Sequence, residues 1–285
     1  MFEKVNPSHP DKIADRIAGA LVDLSYREKR NPHVAVEVLI GHGVCHIINE
    51  TDTPLNRYDV EEAVSRIVQE VLVLDYVEVE QDRKLNENQR EIPRCGDNGI
   101  FRGMPTTHEQ ALLAELAAEI YELFPYDGKY LLHGEKSSEG DTEWNMTVCQ
   151  SFMTDGQALF LMQDQLRDIN NVSVNPLGEW TGGIDVDCGA TNRKLGSDMG
   201  DAVTGGGLHG KDLSKADVSV NIVCHLIADE RKMPVEAICS IGDTEVTFRY
   251  GNKSERISFD EVVERARDYI NECGGFERFA EWGLI

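Results

Sequence analysis

The stretch that decides the fold of this chain reads Gly-Gly-Ile-Asp-Val-Asp-Cys-Gly-Ala-Thr-Asn-Arg-Lys over residues 182–194 and Gly-Gly-Gly-Leu-His-Gly-Lys-Asp-Leu-Ser-Lys-Ala-Asp over residues 205–217. Carboxylates alternate with lysine and arginine, and glycines supply backbone freedom between them. Cations and free backbone N–H groups bind phosphate oxygens, whereas carboxylates bind the divalent cations that accompany a nucleotide. The composition therefore predicts a site for a polyphosphate and its metal ions.

Residues 205–212 nearly satisfy the phosphate-loop pattern G-x-x-x-x-G-K-[ST]. However, Asp212 stands where that loop has the hydroxyl residue that binds magnesium, and residues 196–200 before it do not read as a buried strand. The pattern therefore lacks its required context, and a P-loop NTPase is disfavoured.

The overall charge constrains the partners of this chain of 285 residues. The chain has 51 acidic and 28 basic side chains, which give a formal net charge of −23. This charge argues against non-specific binding to nucleic acid or to anionic membranes. An anionic substrate therefore needs a locally cationic pocket and metal ions.

The sequence predicts a cytoplasmic protein. It has no run of about 18 apolar residues that could span a bilayer, and its start lacks the basic and apolar segments of a signal peptide. The seven cysteines are scattered and include no C-x-x-C pair, which favours reduced thiols.

Hydrophobic spacing and turn residues predict a mixed order of helices and strands. Proline at the first helical position begins a helix at residues 9–12, and Thr107 with Gln110 forms a capping box. Other helices are predicted at 59–74, 107–124, 158–169, 218–228 and 258–271; strands at 33–40, 44–49, 76–79, 145–153, 234–241 and 246–250; a mobile loop at 82–94; and turns at 41–43, 95–99 and 126–129. Strand pairs and long helices thus recur about three times, without a residue-level repeat.

Five side chains outside the opening stretch each have two interpretations. His9 and Asp11 fit either a helix cap or a catalytic role. Glu37, in an otherwise apolar strand, either faces solvent or requires a cation or donor to be buried. Asp97 fits a tight turn with or without a ligand, and Trp180 fits either the core or a stacking surface for a base.

Taken together, four motifs resemble the S-adenosylmethionine synthetase (methionine adenosyltransferase) family. The family's Gly-His-Pro-Asp-Lys-Ile-Ala-Asp signature corresponds to residues 8–15, and its Gly-Asp-Gln-Gly turn to residues 96–99. Its Asp-Cys-Gly-x-Thr-Gly-Arg-Lys segment corresponds to residues 187–194, and its triple glycine followed by Ser-Gly-Lys-Asp-x-Ser-Lys-Val-Asp to residues 205–217. The chain is identified as a short member of this family.

The resemblance implies an α+β fold of three similar βαββ-type units around a pseudo-threefold axis. We expect a first unit at residues 1–105 with a gate loop at 82–94, a compact second unit at 106–180 and a third at 181–285, interleaved in space. It also implies a homodimer with active sites at the subunit interface, with a tetramer as the alternative.

The implied activity is the synthesis of S-adenosylmethionine from ATP and L-methionine. The methionine sulfur attacks C5′ of ATP, and the tripolyphosphate that leaves is hydrolysed to phosphate and pyrophosphate. Two Mg²⁺ ions and K⁺ are the implied cofactors. Two alternatives remain: a catalytically silent nucleotide-binding regulatory homologue, and a tripolyphosphatase or ATP hydrolase without methionine coupling.

The resemblance also assigns roles to residues. The catalytic set is His9, Lys129, Arg193, Lys194, Lys211 and Lys215; the set around ATP and its adenosine is Asp97, Trp180, Arg193, Lys194, Lys211 and Ile241; the methionine set is Glu50, Gln89, Asp187 and Lys215; and the metal ligands are Asp11 and Asp217 for Mg²⁺ and Glu37 for K⁺. Lys136 competes with Lys129, whose assignment depends on a short Asp-Gly-Lys pattern.

The chain departs from the family pattern in and beside the glycine loop. Asn192 replaces a glycine, Thr204 replaces a histidine, and His209 stands in the serine position of a loop one residue shorter. The chain is also shorter than typical members, with a shortened gate. We expect these departures to affect the rate, the gating and the higher oligomeric state more than the reaction itself.

Overall fold

The computed structural model describes residues 1–69, 72–89, 93–136, 140–154 and 169–285. The strands in these ranges are β1 Phe2–Val5, β2 Val34–Gly41, β3 Val44–Thr51, β4 Val73–Glu80, β5 Gly99–Gly103, β6 Gly128–Lys136, β7 Thr142–Gln150, β8 Asn171–Val174, β9 Gly189–Ala190, β10 Val235–Cys239, β11 Glu245–Tyr250 and β12 Lys253–Ser258. The helices are α1 Pro10–Glu28, α2 Arg57–Val68, α3 Arg83–Asn88, α4 His108–Leu123, α5 Leu195–Met199, α6 Ala216–Arg231, α7 Phe259–Cys273 and α8 Phe276–Trp282.

These strands form three four-stranded sheets, in the orders β4-β3-β2-β9, β1-β6-β7-β8 and β12-β11-β10-β5. Each sheet takes one strand from a distant part of the chain: β9 joins the first, β1 the second and β5 the third. The predicted α+β class with three sheet-based units is confirmed. The residue ranges proposed for the units stay a prediction.

Two helices form the centre of the molecule. α1 and α6 are buried around most of their circumference, as expected of helices that other elements surround. They share the larger hydrophobic core with the first and third sheets, whereas α4 packs on β1 and β6 over a smaller core. Because α1 begins against β9, the core fixes where the polar end of α1 meets the Gly182–Asp217 stretch.

Several predicted elements are confirmed, including α1, the β2–β3 hairpin, α6, α7 and the capping box of α4. The predicted helix at 59–74 is too long: it ends at Val68 because Gln69 takes a left-handed conformation, and Leu74 belongs to β4. The predicted loop at 82–94 contains α3, capped by Asp82.

Other elements lacked a sequence signal that we recognised. Strands β5 and β12 and helix α8 were not predicted, and β6 begins inside the turn predicted at 126–129. The helix predicted at 158–169 lies, apart from Ile169, outside the described residues.

Candidate active site

The start of α1 brings two of the sequence motifs into contact. Nδ1 of His9 caps the helix by accepting a hydrogen bond from the backbone N–H of Asp11, at 3.2 Å. The carboxylate of Asp11 accepts one from the N–H of Ala190, at 2.9 Å. Gly189 lies so close to Pro10 that a Cβ there would come within 1.9 Å of the proline carbonyl oxygen. A glycine is therefore required where β9 crosses the helix start.

A cationic group surrounds His9 and Asp11. Glu3 links Lys129 and Lys194, at 2.9 and 3.4 Å from their ammonium nitrogens, and Nε of Arg193 lies 3.4 Å from Asp11. Burial, together with the charges of Lys194 and Lys129, lowers the pKa of His9 to about 4. His9 is therefore neutral at pH 7, and since Nδ1 accepts a bond, its proton is assigned to Nε2.

The two candidate lysines on β6 lie at opposite ends of the strand. Lys129 belongs to the cationic group, whereas Lys136 donates to the hydroxyl of Thr142 at 2.8 Å. Seven residues of extended strand separate their Cα atoms by roughly 23 Å. The geometry therefore favours Lys129.

Asp127 is a site residue that the sequence analysis did not select. It is 6% exposed, and its Oδ2 accepts a hydrogen bond from the N–H of Gly183 at 2.8 Å. Its Oδ1 is buried and has no hydrogen-bond partner within the described part of the chain. Burial, reinforced by the charges of Asp187 and Asp11, raises the pKa of Asp127 to about 7. The Asp-Gly-Lys pattern that selected Lys129 was the available signal.

Trp180 lies beside Asp127. A Cβ on Gly182 would come within 2.2 Å of the Asp127 carboxylate and 2.6 Å of the Trp180 ring, so the backbone passes closely between the two side chains. Asp187 is exposed and bonds its own loop, with Oδ1 2.8 Å from the N–H of Cys188. These residues extend the group around His9.

A second group forms around Lys211. Its ammonium donates to the carboxylate of Asp217, and the backbone N–H of Asp217 lies 3.4 Å from the carboxylate of Asp97. Burial and the charge of Asp217 raise the pKa of Asp97. Although burial lowers the pKa of Lys211, its bond to Asp217 and the charges of Asp97 and Glu37 raise it overall.

Four more predicted residues lie around this second group. Lys215 precedes α6 and is 6% exposed, and its charge acts on Asp97. The N–H of Ile241 donates to Asn98, next to Asp97, at 2.8 Å. Gln89 packs on Gly96, where a Cβ would meet its Nε2 at 2.1 Å. Glu50 lies opposite Ala35, which forms a β-bridge with Lys211.

Glu37 points from the outward face of β2. The strand alternates buried and accessible residues, and Glu37 belongs to the accessible set, so the exposed-face interpretation is confirmed. Its carboxylate accepts a hydrogen bond from the hydroxyl of Thr191. Since Ala190 contacts Asp11, residues 189–193 link the two groups of the candidate site.

A buried ion network contacts this linking segment, since the backbone N–H of Asn192 donates a hydrogen bond to Asp15. Lys12 is fully buried, with its ammonium 2.7 Å from both carboxylate oxygens of Asp198 and 3.4 Å from Asp15, and His209 lies 2.9 Å from Asp198. Although burial raises it, the charges of Lys12 and His209 hold the pKa of Asp198 well below its usual range. Asp15, Asp198 and His209 have the spacing of a metal site, but the Lys12 ammonium already supplies the compensating cation.

The sequence of the chain is similar to those of several known proteins. Residues 1–92 match the family model described as the N-terminal domain of S-adenosylmethionine synthetase. An S-adenosylmethionine synthase of Salinibacter ruber is 27% identical, covering 90% of this chain and 79% of that protein. Another from Sulfurimonas denitrificans is 26% identical, covering 87% and 75%. Over most of its length, the chain is therefore similar to S-adenosylmethionine synthases.

The fold comparison agrees with these matches. A solved structure described as an unusual S-adenosylmethionine synthetase from Campylobacter jejuni superposes with a TM-score of 0.77, covering all of this chain and 95% of that one at 18% identity. The S-adenosylmethionine synthetase fold is therefore confirmed. In the described residues, no helix is both long and apolar enough to cross a membrane.

Proposed function

We propose that this protein synthesises S-adenosylmethionine from ATP and L-methionine, releasing phosphate and pyrophosphate. The observation that carries the proposal is the convergence of Lys129, Arg193 and Lys194 on neutral His9 and buried Asp11, at the junction of two family motifs. In a chain of net charge −23, such a local group of cations suits a polyphosphate. The 25–27% identical relatives support the same activity.

The proposed reaction needs no protein nucleophile. The methionine sulfur attacks C5′ of ATP, the C5′–O bond breaks, and its electron pair leaves with the tripolyphosphate. The protein holds sulfur and carbon in line and stabilises the charge that develops on the leaving oxygen. We assign the stabilisation of that charge to the Nε2–H of neutral His9 and to the cationic side chains of Lys129, Lys194, Lys211, Lys215 and Arg193.

The remaining predicted residues would surround the two substrates. Asp97 and Ile241 meet at one turn, and we assign them to adenosine together with Trp180. Glu50, Gln89 and Asp187 are assigned to methionine, with Lys215 shared between methionine and the phosphates. These roles are proposals that substitution of each residue tests.

The carboxylates of the candidate site suit divalent cations. Asp11 and Asp187 lie near enough to Asp127 for their charges to raise its pKa, and its buried Oδ1 lacks a partner within the described residues. Hard oxygen donors of this kind fit Mg²⁺, and we propose Asp11 and Asp217 as ligands of two Mg²⁺ ions. When bound, these ions neutralise phosphate charge. The exposed carboxylate of Glu37, beside the Thr191 hydroxyl, is proposed as the K⁺ ligand.

The outward sheet faces support a homodimer. On the first sheet Leu39, Ile48 and Val77 are 51%, 54% and 45% exposed, and on the third Ile100 and Ile238 are register partners 67% and 54% exposed. Contiguous exposed apolar faces typically mark a protein interface. Sedimentation at micromolar concentration is expected to give a dimer, or a tetramer built from it; a monomer would remove this part of the proposal.

One assay tests the activity against its alternatives. The purified protein is incubated with ATP, L-methionine, Mg²⁺ and K⁺, and S-adenosylmethionine, phosphate and pyrophosphate are quantified. We expect the three products in equal amounts. If no S-adenosylmethionine forms when the enzyme is stoichiometric with the substrates, the proposal is refuted. Phosphate release that does not require methionine would instead favour a tripolyphosphatase or ATP hydrolase. Binding of ATP without turnover would favour a regulatory homologue.

A further inference from the structure

Asn192 has a backbone and side-chain arrangement that connects three parts of the candidate site. Its φ of +62° lies in the left-handed region, which asparagine tolerates better than most residues. Its backbone N–H donates to Asp15 at 2.8 Å, within the buried ion network. It also lies between Thr191, which bonds Glu37, and Arg193, which lies beside Asp11.

The side chain of Asn192 bonds the glycine-rich loop on the opposite side. Its Oδ1 accepts from the backbone N–H groups of Leu208 and His209, at 2.7 and 2.9 Å, and its Nδ2 donates to the carbonyl of His209 at 3.2 Å. A Cβ on Gly207 would come within 2.7 Å of the Asn192 amide, so the loop backbone lies directly on this side chain.

The loop so held leads directly into Lys211. Gly210 follows with a positive φ, and its carbonyl accepts from the N–H of Val36 on β2 at 2.6 Å. Lys211 then forms its β-bridge with Ala35. The backbone that carries the Lys211 side chain is therefore fixed by β2 on one side and by Asn192 on the other.

We propose that Asn192 is a positioning residue, which sets the 205–210 loop and through it the place of Lys211 in the reaction. The role rests on the proposed synthesis of S-adenosylmethionine, because it assigns Lys211 to the leaving tripolyphosphate. Asn192 supplies two acceptor contacts and one donor contact that a glycine, which tolerates the same φ, does not. A misplacement of about 1 Å can cost on the order of 10²-fold in rate.

The test compares Asn192→Gly with a matched variant. Asn175→Gly also replaces an asparagine of positive φ, directly after β8 of the second sheet. Its amide bonds three backbone groups, namely the N–H and the carbonyl of Gln150 and the carbonyl of Met153. Both variants lose stability, but only Asn192→Gly should speed hydrogen exchange at the amides of Leu208 and His209, by at least about tenfold. Asn192→Asp keeps the acceptor oxygen and should restore most of that protection.

Two further measurements connect the loop to function. Asn192→Gly should weaken binding of inorganic tripolyphosphate and lower kcat by about 10- to 100-fold, with the KM for methionine within about twofold of wild type. Unchanged exchange at Leu208 and His209, or an unchanged kcat, would overturn the positioning role. A wild-type protein that makes no S-adenosylmethionine would instead refute the proposed activity, whereas the exchange and tripolyphosphate measurements remain interpretable because neither requires turnover.

Discussion

Lys211 donates a hydrogen bond to the carboxylate of Asp217, six residues further along the chain, where Asp97 also faces the pair. Although burial lowers the pKa of the Lys211 ammonium, this contact contributes to raising it above its ordinary value. It also brings together a cation suited to phosphate and two carboxylates suited to a metal ion. Within the second group, we therefore expect substitutions at Lys211 or Asp217 to lower turnover the most.

Lys211→Ala is expected to lower kcat for S-adenosylmethionine formation by at least about 10²-fold, because it removes charge stabilisation of the leaving tripolyphosphate. Steady-state kinetics with saturating ATP and methionine measures the effect. Lys136→Ala, at the far end of β6, is the control and should stay within about twofold of wild type. Equal turnover in Lys211→Ala and wild type would remove the assigned role.

His9 can be tested with two substitutions that separate helix capping from catalysis. Asparagine is a good N-cap residue, whereas alanine is not, so His9→Ala should lose about 1 kcal/mol of unfolding free energy and His9→Asn much less. Both should lose turnover by about 10²-fold if the neutral imidazole acts on the triphosphate. Urea denaturation and product formation give the two readouts. Full turnover in a stable His9→Asn variant would reduce His9 to a helix cap.

Much of the site was predictable because its residues stand in short motifs whose chemistry is local. The helix start at Pro10 and the glycine loop before Lys211 carry their own turn and capping signals. Asp127 was not predictable in the same way: its raised pKa depends on Gly183 and on burial under a distant part of the chain. The role of Lys12 likewise depends on Asp198, 186 positions away.

Fold prediction was limited by similar long-range effects. Strand β5 is only five residues long and pairs with β10, whose sequence lies more than 130 positions further on. The end of α2 depends on the left-handed conformation of Gln69, a residue without the usual glycine signal. Elements with complete local signals, such as the capping box at Thr107, were predicted correctly.

Glu37→Gln should abolish any stimulation of activity by K⁺, because the amide retains an oxygen but loses the charge. Turnover without K⁺ should stay within about threefold of the wild-type value. Glu236→Gln, on the outward face of the third sheet, is the matched control and should keep the stimulation. Activity is measured against KCl with choline chloride holding the ionic strength constant. Persistent stimulation in Glu37→Gln would mean that K⁺ acts elsewhere.

Asp127 gives a prediction about stability and pH. Its folded-state pKa of about 7 lies above the value of about 3.9 expected for the unfolded chain. The folded state therefore binds more protons between these values. The stability that this group contributes is complete below about pH 4 and is lost as pH rises through about 7.

The variant Asp127→Asn keeps an acceptor for the N–H of Gly183 but cannot ionise. Its unfolding free energy should fall less than that of wild type between pH 4.5 and 7.5, by up to a few kcal/mol. Urea denaturation across this range measures both slopes, with Asp141→Asn, in an exposed position, as the control. Parallel slopes for wild type and Asp127→Asn would show that Asp127 ionises normally in the folded protein.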